Sequence, residues 1–205
     1  MKETPKISVV TPTLNCSQFI RDCIESVLAQ NYENFEHIIM DGGSADGTVD
    51  ILREYPHLKW ISEQDEGEAD ALNKALKMAA GDIIGWLNAD DWYEDGVFVK
   101  VSEVMNPAGG VHAVYGDTAF VDEIRNERFI KKTARDMTLG GVFMRWWHDK
   151  QPRQPSIFIR GNLWTTSSCT KTSCITRSTW NTGCVLLSGI NFILSTRFFR
   201  AQGSV

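Results

Sequence analysis

Apolar runs that end at polar residues recur through the first half of the chain, and they alternate with stretches of helical period. Residues 7–14, 35–40, 58–61 and 83–87 read as buried strands, with Pro12 and Asn15 ending the first and Gly42-Gly43 breaking the second. Between them, Phe19, Ile20, Cys23, Ile24, Val27 and Leu28 line one face of a helix over 17–30. Val49 and Leu52 belong to a second helix, capped by Ser44 or Asp46. Ala69, Leu72, Ala75, Leu76 and Ala79 form the apolar stripe of a third, closed by Gly81. Strands alternating with helices of this length predict parallel βαβ units, hence an α/β, Rossmann-like open sheet, mostly parallel and flanked by helices. Further on, a helix over 97–105 and strands over 111–115, 128–132 and 156–160 are expected. A loop is expected around Gly140-Gly141 and Trp146-Trp147-His148.

In such a sheet the carboxyl ends of the strands share one edge, where ligands bind. Three polar-tipped segments reach it, two of them acidic: Thr11-Pro12-Thr13-Leu14-Asn15, Asp41-Gly42-Gly43-Ser44 and Asn88-Ala89-Asp90-Asp91. Two adjacent carboxylates such as Asp90 and Asp91 favour a counter-cation, Mg²⁺ or Mn²⁺ held together with diphosphate oxygens; equally, Asp residues cap helices. Asp41 can accept a hydrogen bond from a base or a ribose, with Gly42-Gly43 letting the ligand close on the backbone, or it can close an Asx-turn. Asp70 and Asn73, three apart, share the helix face opposite the apolar stripe, which either meets a ligand or is solvated with an Asp70–Lys74 pair. A dinucleotide-binding oxidoreductase is excluded, because no Gly-x-Gly-x-x-Gly turn follows the first strand.

In their order and spacing these segments, with Asp65-Glu66-Gly67, Asp70-Ala71-Leu72-Asn73-Lys74 and Gly81-Asp82-Ile83-Ile84-Gly85-Trp86-Leu87-Asn88-Ala89-Asp90-Asp91, resemble the family-2 glycosyltransferases of GT-A fold over about residues 6–160. The resemblance implies inverting transfer from a nucleotide-diphospho sugar, a UDP-sugar, to a glycan or lipid-linked acceptor in polysaccharide or cell-envelope synthesis. It implies nucleotide-sugar binding by Thr11, Pro12, Thr13, Asn15, Asp41, Asp65, Asp70, Asn73 and Asp90, and Mg²⁺ or Mn²⁺ at Asp91 and Asp90. Asn88 stands where the family's Asp-x-Asp motif begins, which leaves the division of labour between Asp90 and Asp91 open. Gln154-Pro155-Ser156 resembles the family's entry into the acceptor side.

The family's general base, an Asp or Glu, is expected beyond that strand, yet residues 162–205 contain no acidic residue. His148 and Asp149 are the nearest substitutes, so the catalytic base is unassigned, and the alternative is a nucleotide-sugar binder impaired in catalysis. The overall charge of −5 divides into −9 over residues 1–161 and +4 over 162–205. The second stretch also holds 15 Ser and Thr and three of the five cysteines. One back-translation of residues 168–188, shifted by one base, yields an acidic, aromatic, helix-periodic segment like the missing one. The expected division is therefore a GT-A domain over 1–161 and an irregular, atypical tail over 162–205, outside the native reading frame. The acidic balance excludes a nucleic-acid partner. With no run of about 20 apolar residues and no leader-like N-terminus, a cytoplasmic protein is expected, associated peripherally with a membrane, with Cys16 and Cys23 reduced.

Overall fold

The computed structural model describes residues 4–106, 110–122, 127–132, 153–164 and 184–195. In chain order the elements are β1 (Ile7–Thr13), α1 (Ile20–Leu28), β2 (Phe35–Asp41), α2 (Thr48–Arg53), β3 (Lys59–Ser62), α3 (Glu68–Met78), β4 (Ile83–Trp86), β5 (Trp92–Tyr93) and α4 (Val97–Val104). They continue with β6 (Ala113–Asp122), β7 (Glu127–Lys131), a 3₁₀ turn (Gln154–Ser156), β8 (Ile157–Arg160), α5 (Gly161–Trp164) and β9 (Cys184–Ser195). The strands form one sheet in the order β3-β2-β1-β4-β8-β6-β9-β5, with β7 also on β6.

Strands β1 to β4 are mutually parallel, as expected. The rest of the sheet is mixed: β8 is antiparallel to both β4 and β6, and β9 runs parallel to β6. Successive residues of the inner strands serve opposite layers. Val9 and Ile83 pack with α1 and α4, while Val10 and Ile84 pack with α3. Both faces are covered, which is why these strands read as continuous apolar runs. Cys16 and Cys23 are free and buried. Among the described residues no helix is long and apolar enough to cross a membrane.

Two differences from the expected elements have clear causes. Helix α1 starts three residues late because residues 17–19 form a turn, with the Phe19 and Ile20 N–H groups both on the Cys16 carbonyl (3.0 and 2.9 Å); the N–H groups of Cys16 and Ser17 before it are bound by Thr48 Oγ1 (3.0 Å) and Asp46 Oδ2 (2.9 Å). The tail expected to be irregular contains β9, whose backbone pairs with β6 on one side and β5 on the other. Its sequence, Cys184 to Ser195, is an apolar run with the length of a strand, and pairing satisfies its backbone whatever its charge balance.

The opposite end of the sheet is tied by a buried carboxylate. Glu36, its side chain 5% exposed, accepts from Lys59 Nζ (2.7 Å), Lys6 Nζ (2.8 Å), Ser8 Oγ (2.5 Å) and the Ala80 N–H (2.8 Å). Burial raises its pKa, but these partners more than offset it and hold the group at about 2, against an ordinary 4.5. Nearby in β2, His37 is fully buried, its Nε2 3.0 Å from Thr11 Oγ1, and burial lowers it to about 3 from 6.5. Both folded values lie below the unfolded ones, so each group's contribution is complete above its unfolded pKa and lost as pH falls. Stability should therefore decline from pH 6.5 as unfolded His37 takes up a proton, and more steeply from 4.5 towards 2 as Glu36 does. The Glu36 part is worth about 3 kcal/mol. Urea melts from pH 7 to pH 3 check this: Glu36→Gln should be less stable at pH 7 and show a shallower fall below 4.5. Equal slopes in the two proteins would contradict it.

Candidate functional site

The parallel register brings the ends of β1, β2 and β3 level: Thr13 pairs with Asp41, and Asp41 with Ser62. Strand β4 pairs with β1 up to Val10↔Trp86, and the chain then turns through Asn88 to Asp91. One edge thus gathers residues 13–15, 41–44, 62–66 and 88–91.

Asp41 is 1% exposed and closes the expected Asx-turn. Its Oδ2 accepts the N–H groups of Gly43 (3.2 Å) and Ser44 (3.0 Å) and the Ser62 hydroxyl (2.5 Å), while Oδ1 accepts the Ser44 hydroxyl. A Cβ on Gly42 would lie 2.7 Å from Asp65 Oδ2, so Asp65 is laid directly over the glycine backbone. Asp65 Oδ1 in turn accepts the Gly67 N–H at 2.8 Å, which fixes the entry to α3. The capacity of Gly42 for close approach is thus used by Asp65, which lies half-buried over the turn that the buried Asp41 closes.

The loops after β1 and β2 are clasped together. Asn15 N–H donates to Ser44 Oγ (2.7 Å), and Ala45 N–H donates to Asn15 Oδ1 (2.9 Å). Asp46 accepts from the Ser17 N–H, the Thr48 N–H (3.0 Å) and the Thr48 hydroxyl (2.5 Å). These bonds outweigh burial and hold the Asp46 carboxyl well below its ordinary range. Asn15 sits at φ +51°, a left-handed conformation that Asn tolerates and that turns its amide towards Ala45. Thr11, Pro12 and Thr13 are buried within β1, with Thr11 bonded to His37 rather than facing the rim.

The last segment is a tight turn, Asp91 N–H donating to the Asn88 carbonyl at 3.1 Å. Asn88 is held by Trp86 Nε1 on its Oδ1 (2.9 Å), and the Trp86 carbonyl accepts the Gln154 amide from the 3₁₀ turn. Gln154, at the entry to the neighbouring strand β8, therefore positions the turn. Asp90 is half-buried; burial raises its pKa, opposed only by a backbone N–H. Asp91 is 1% exposed and lies on the core side, where its charge adds to the burial that raises Cys23 and Tyr93. Asp90 rather than Asp91 thus meets the rim.

Among the described residues no three or more His, Cys, Asp or Glu side chains converge as metal ligands. The oxygen donors of Asp90 and Asn88 nonetheless fit a hard cation that takes one or two carboxylates and completes its shell with phosphate oxygens and water. A cation there would oppose the burial that raises the Asp90 carboxyl.

Asp70 pairs with Lys74 at 3.0 Å and accepts the Glu66 N–H, while Lys74 also binds Glu63 at 2.7 Å. This is the solvated pair foreseen for that face, and Asn73 is half-buried beside it. His148 and Asp149 lie outside the described residues. The roles of Ser62, of Gln154 and of the Asp46–Thr48 clasp were not foreseen. The Asp-x-Thr spacing signalled a cap, but its partners on the neighbouring loop have no local signature.

A profile described as Glycosyl transferase family 2 matches residues 8–170. The putative teichuronic acid biosynthesis glycosyltransferase TuaG of Bacillus subtilis is 41% identical over 107 residues, 49% of this chain and 42% of that protein. Chondroitin synthase of Escherichia coli is 38% identical over 98 residues, 46% of this chain and 14% of that protein. The chain thus spans less than half the length of these relatives. Among solved structures, S. aureus TarS 1–349 in complex with UDP-GlcNAc superposes with a TM-score of 0.73 at 18% identity, covering 94% of this chain and 59% of that one. The mannosyltransferase PcManGT from Pyrobaculum calidifontis, in complex with GDP-Man and Mn²⁺, gives 0.65 at 18%, covering 96% and 59%. At such identity the likeness is one of fold, and the expected GT-A architecture is borne out.

Proposed function

Because the chain belongs to glycosyl transferase family 2, we propose that it transfers a sugar from a nucleotide-diphospho donor, a UDP-sugar, to an acceptor hydroxyl with inversion, in the synthesis of a polysaccharide or cell-envelope glycan. The observation that carries the reading is the shared edge on which Asp41, Asp65 and Asp90 stand, delivered by three different parallel strands. The glycosyltransferase and synthase activities named for the relatives, and the nucleotides in the neighbouring structures, support the chemistry.

In this reading Asn15, Asp41 and Asp65 hold the nucleoside, the carboxylates accepting from base N–H and ribose hydroxyls. Asp90 faces the diphosphate, with Asn88 and the buried Asp91 supporting the turn. A divalent cation, Mg²⁺ or Mn²⁺, held by Asp90 with Asp91 behind it, would neutralise the charge that gathers on the departing diphosphate. The loop clasp fixes Asn15 against Ser44, so the nucleoside face is formed before the donor arrives, which lowers the ordering cost of binding.

A second reading, binding without transfer, is favoured by the absence of Asp and Glu from residues 162–205. It goes with the proposal that this stretch departs from the native reading frame; resequencing the gene and finding an uninterrupted frame would remove that support. A panel of nucleotide sugars, read by thermal shift with and without Mn²⁺ and then by donor turnover, separates the two. The transferase reading predicts stabilisation by a UDP-sugar together with slow hydrolysis or transfer. Stabilisation without turnover selects the second reading, and no shift with any nucleotide overturns both.

A further inference from the structure

The β6–β7 hairpin carries a group of side chains that the nucleotide edge does not use. Phe120 and Phe129 face each other across the ladder, their rings stacked at 5.1 Å with planes 5° apart. Lys131 Nζ lies 5.6 Å from the centre of the Phe120 ring and the Arg153 guanidinium 5.8 Å from it. Two cations therefore share one aromatic ring; burial and the Arg153 charge both push the Lys131 amine down. Phe129 is nevertheless 52% exposed, and Ile130 beside it 49%.

The hairpin stands on the same rim as the nucleotide edge. Strands β4 and β6 run in the same direction, since both are antiparallel to β8. Pairing of β6 with β8 stops at Tyr115↔Ile157, level with the end of β4, and residues 116–122 continue beyond it. Arg153 directly precedes Gln154, whose amide holds the Trp86 carbonyl two residues before Asn88. A flat apolar ring and two clustered cations therefore adjoin the turn that carries Asp90.

We propose that this platform is an acceptor subsite for an anionic glycan, binding a sugar residue that bears a carboxylate or a phosphate. The inference rests on the transferase reading. The apolar face of a pyranose packs on the exposed Phe129 ring, and the anionic substituent lies at Lys131 and Arg153. An anionic bilayer is the competing occupant. It is disfavoured because Asp65 and Asp90 on the same rim would repel an extended negative surface more than a single anionic group.

The test is calorimetry on the full chain with tetragalacturonate, glucose 6-phosphate, neutral maltotetraose, inorganic phosphate and phosphatidylglycerol vesicles, alongside a separate UDP titration. One of the two anionic sugars should bind about tenfold more tightly than maltotetraose and lose affinity with salt, its identity telling carboxylate from phosphate. Lys131→Gln and Phe129→Ser, each checked for an unchanged melting curve, should each weaken that binding about fivefold. UDP binding should be unchanged in both variants. Equal binding of maltotetraose, inorganic phosphate binding as tightly as the sugar phosphate, insensitivity to both substitutions, or capture by vesicles alone would each overturn the proposal. Anionic-sugar binding without UDP binding would overturn the transferase reading and leave the platform standing.

Discussion

Asp41→Ala is expected to lower the affinity for UDP about a hundredfold, the loss of one or two hydrogen bonds to a charged group. Asp41 is the carboxylate to which the β2 end, the Ser44 turn and Ser62 are all directed. Those bonds orient it and also make it a support, so the same change leaves the Gly43 and Ser44 N–H groups and two hydroxyls without their acceptor. A stability loss of about 1–3 kcal/mol should accompany the binding loss. Ser62→Ala separates the two roles, because it removes one support and keeps the carboxylate. Calorimetry should give Ser62→Ala a UDP affinity within about fivefold of the parent protein, because the carboxylate and its three other donors remain. An Asp41→Ala variant that binds UDP normally would mean that the carboxylate serves only the turn.

The second large effect concerns the metal. In the presence of Mn²⁺, Asp90→Asn should weaken UDP binding by about tenfold or more, since the substitution removes the charged oxygen donor that meets the rim. Without metal the order should reverse, because the parent protein then sets a bare carboxylate against a diphosphate and the variant does not. The crossing is diagnostic: a residue that merely shaped the turn would weaken binding equally in both conditions. Asp91→Asn should act differently. Asp91 is 1% exposed, so its loss should appear first in the melting temperature. UDP titrations of both variants, with Mn²⁺ and with EDTA, give the answer.

The parallel half of the fold and its functional edge were legible because the relevant signals are local. An apolar run stopping at Thr13, Asp41 or Trp86 marks a strand end, and right-handed βαβ crossovers place such ends together. The α3 face was legible for the same reason, since the Asp70–Lys74 spacing of four contains its own partner. What failed to show was everything that depends on a neighbour distant in sequence. Asp46 read as a cap for α2, but one of its three bonds, from the Ser17 N–H, holds the loop before α1. Gln154 lies 68 residues from the carbonyl it binds. Asp90 and Asp91 are adjacent, and no periodicity tells which of two residues in a turn faces the core; burial separated them. Strand β9 was passed over because the charge balance of the tail outweighed its apolar run, although backbone pairing asks only for extended geometry and a partner.

A crystal of the protein grown with UDP and Mn²⁺ tests the convergence most directly. A uracil ring is expected at the Asp41–Gly42–Asp65 corner, with a diphosphate-bound Mn²⁺ within coordination distance, about 2.2 Å, of an Asp90 oxygen. Nucleotide bound elsewhere, or at this edge with its diphosphate turned away from Asp90, would contradict it.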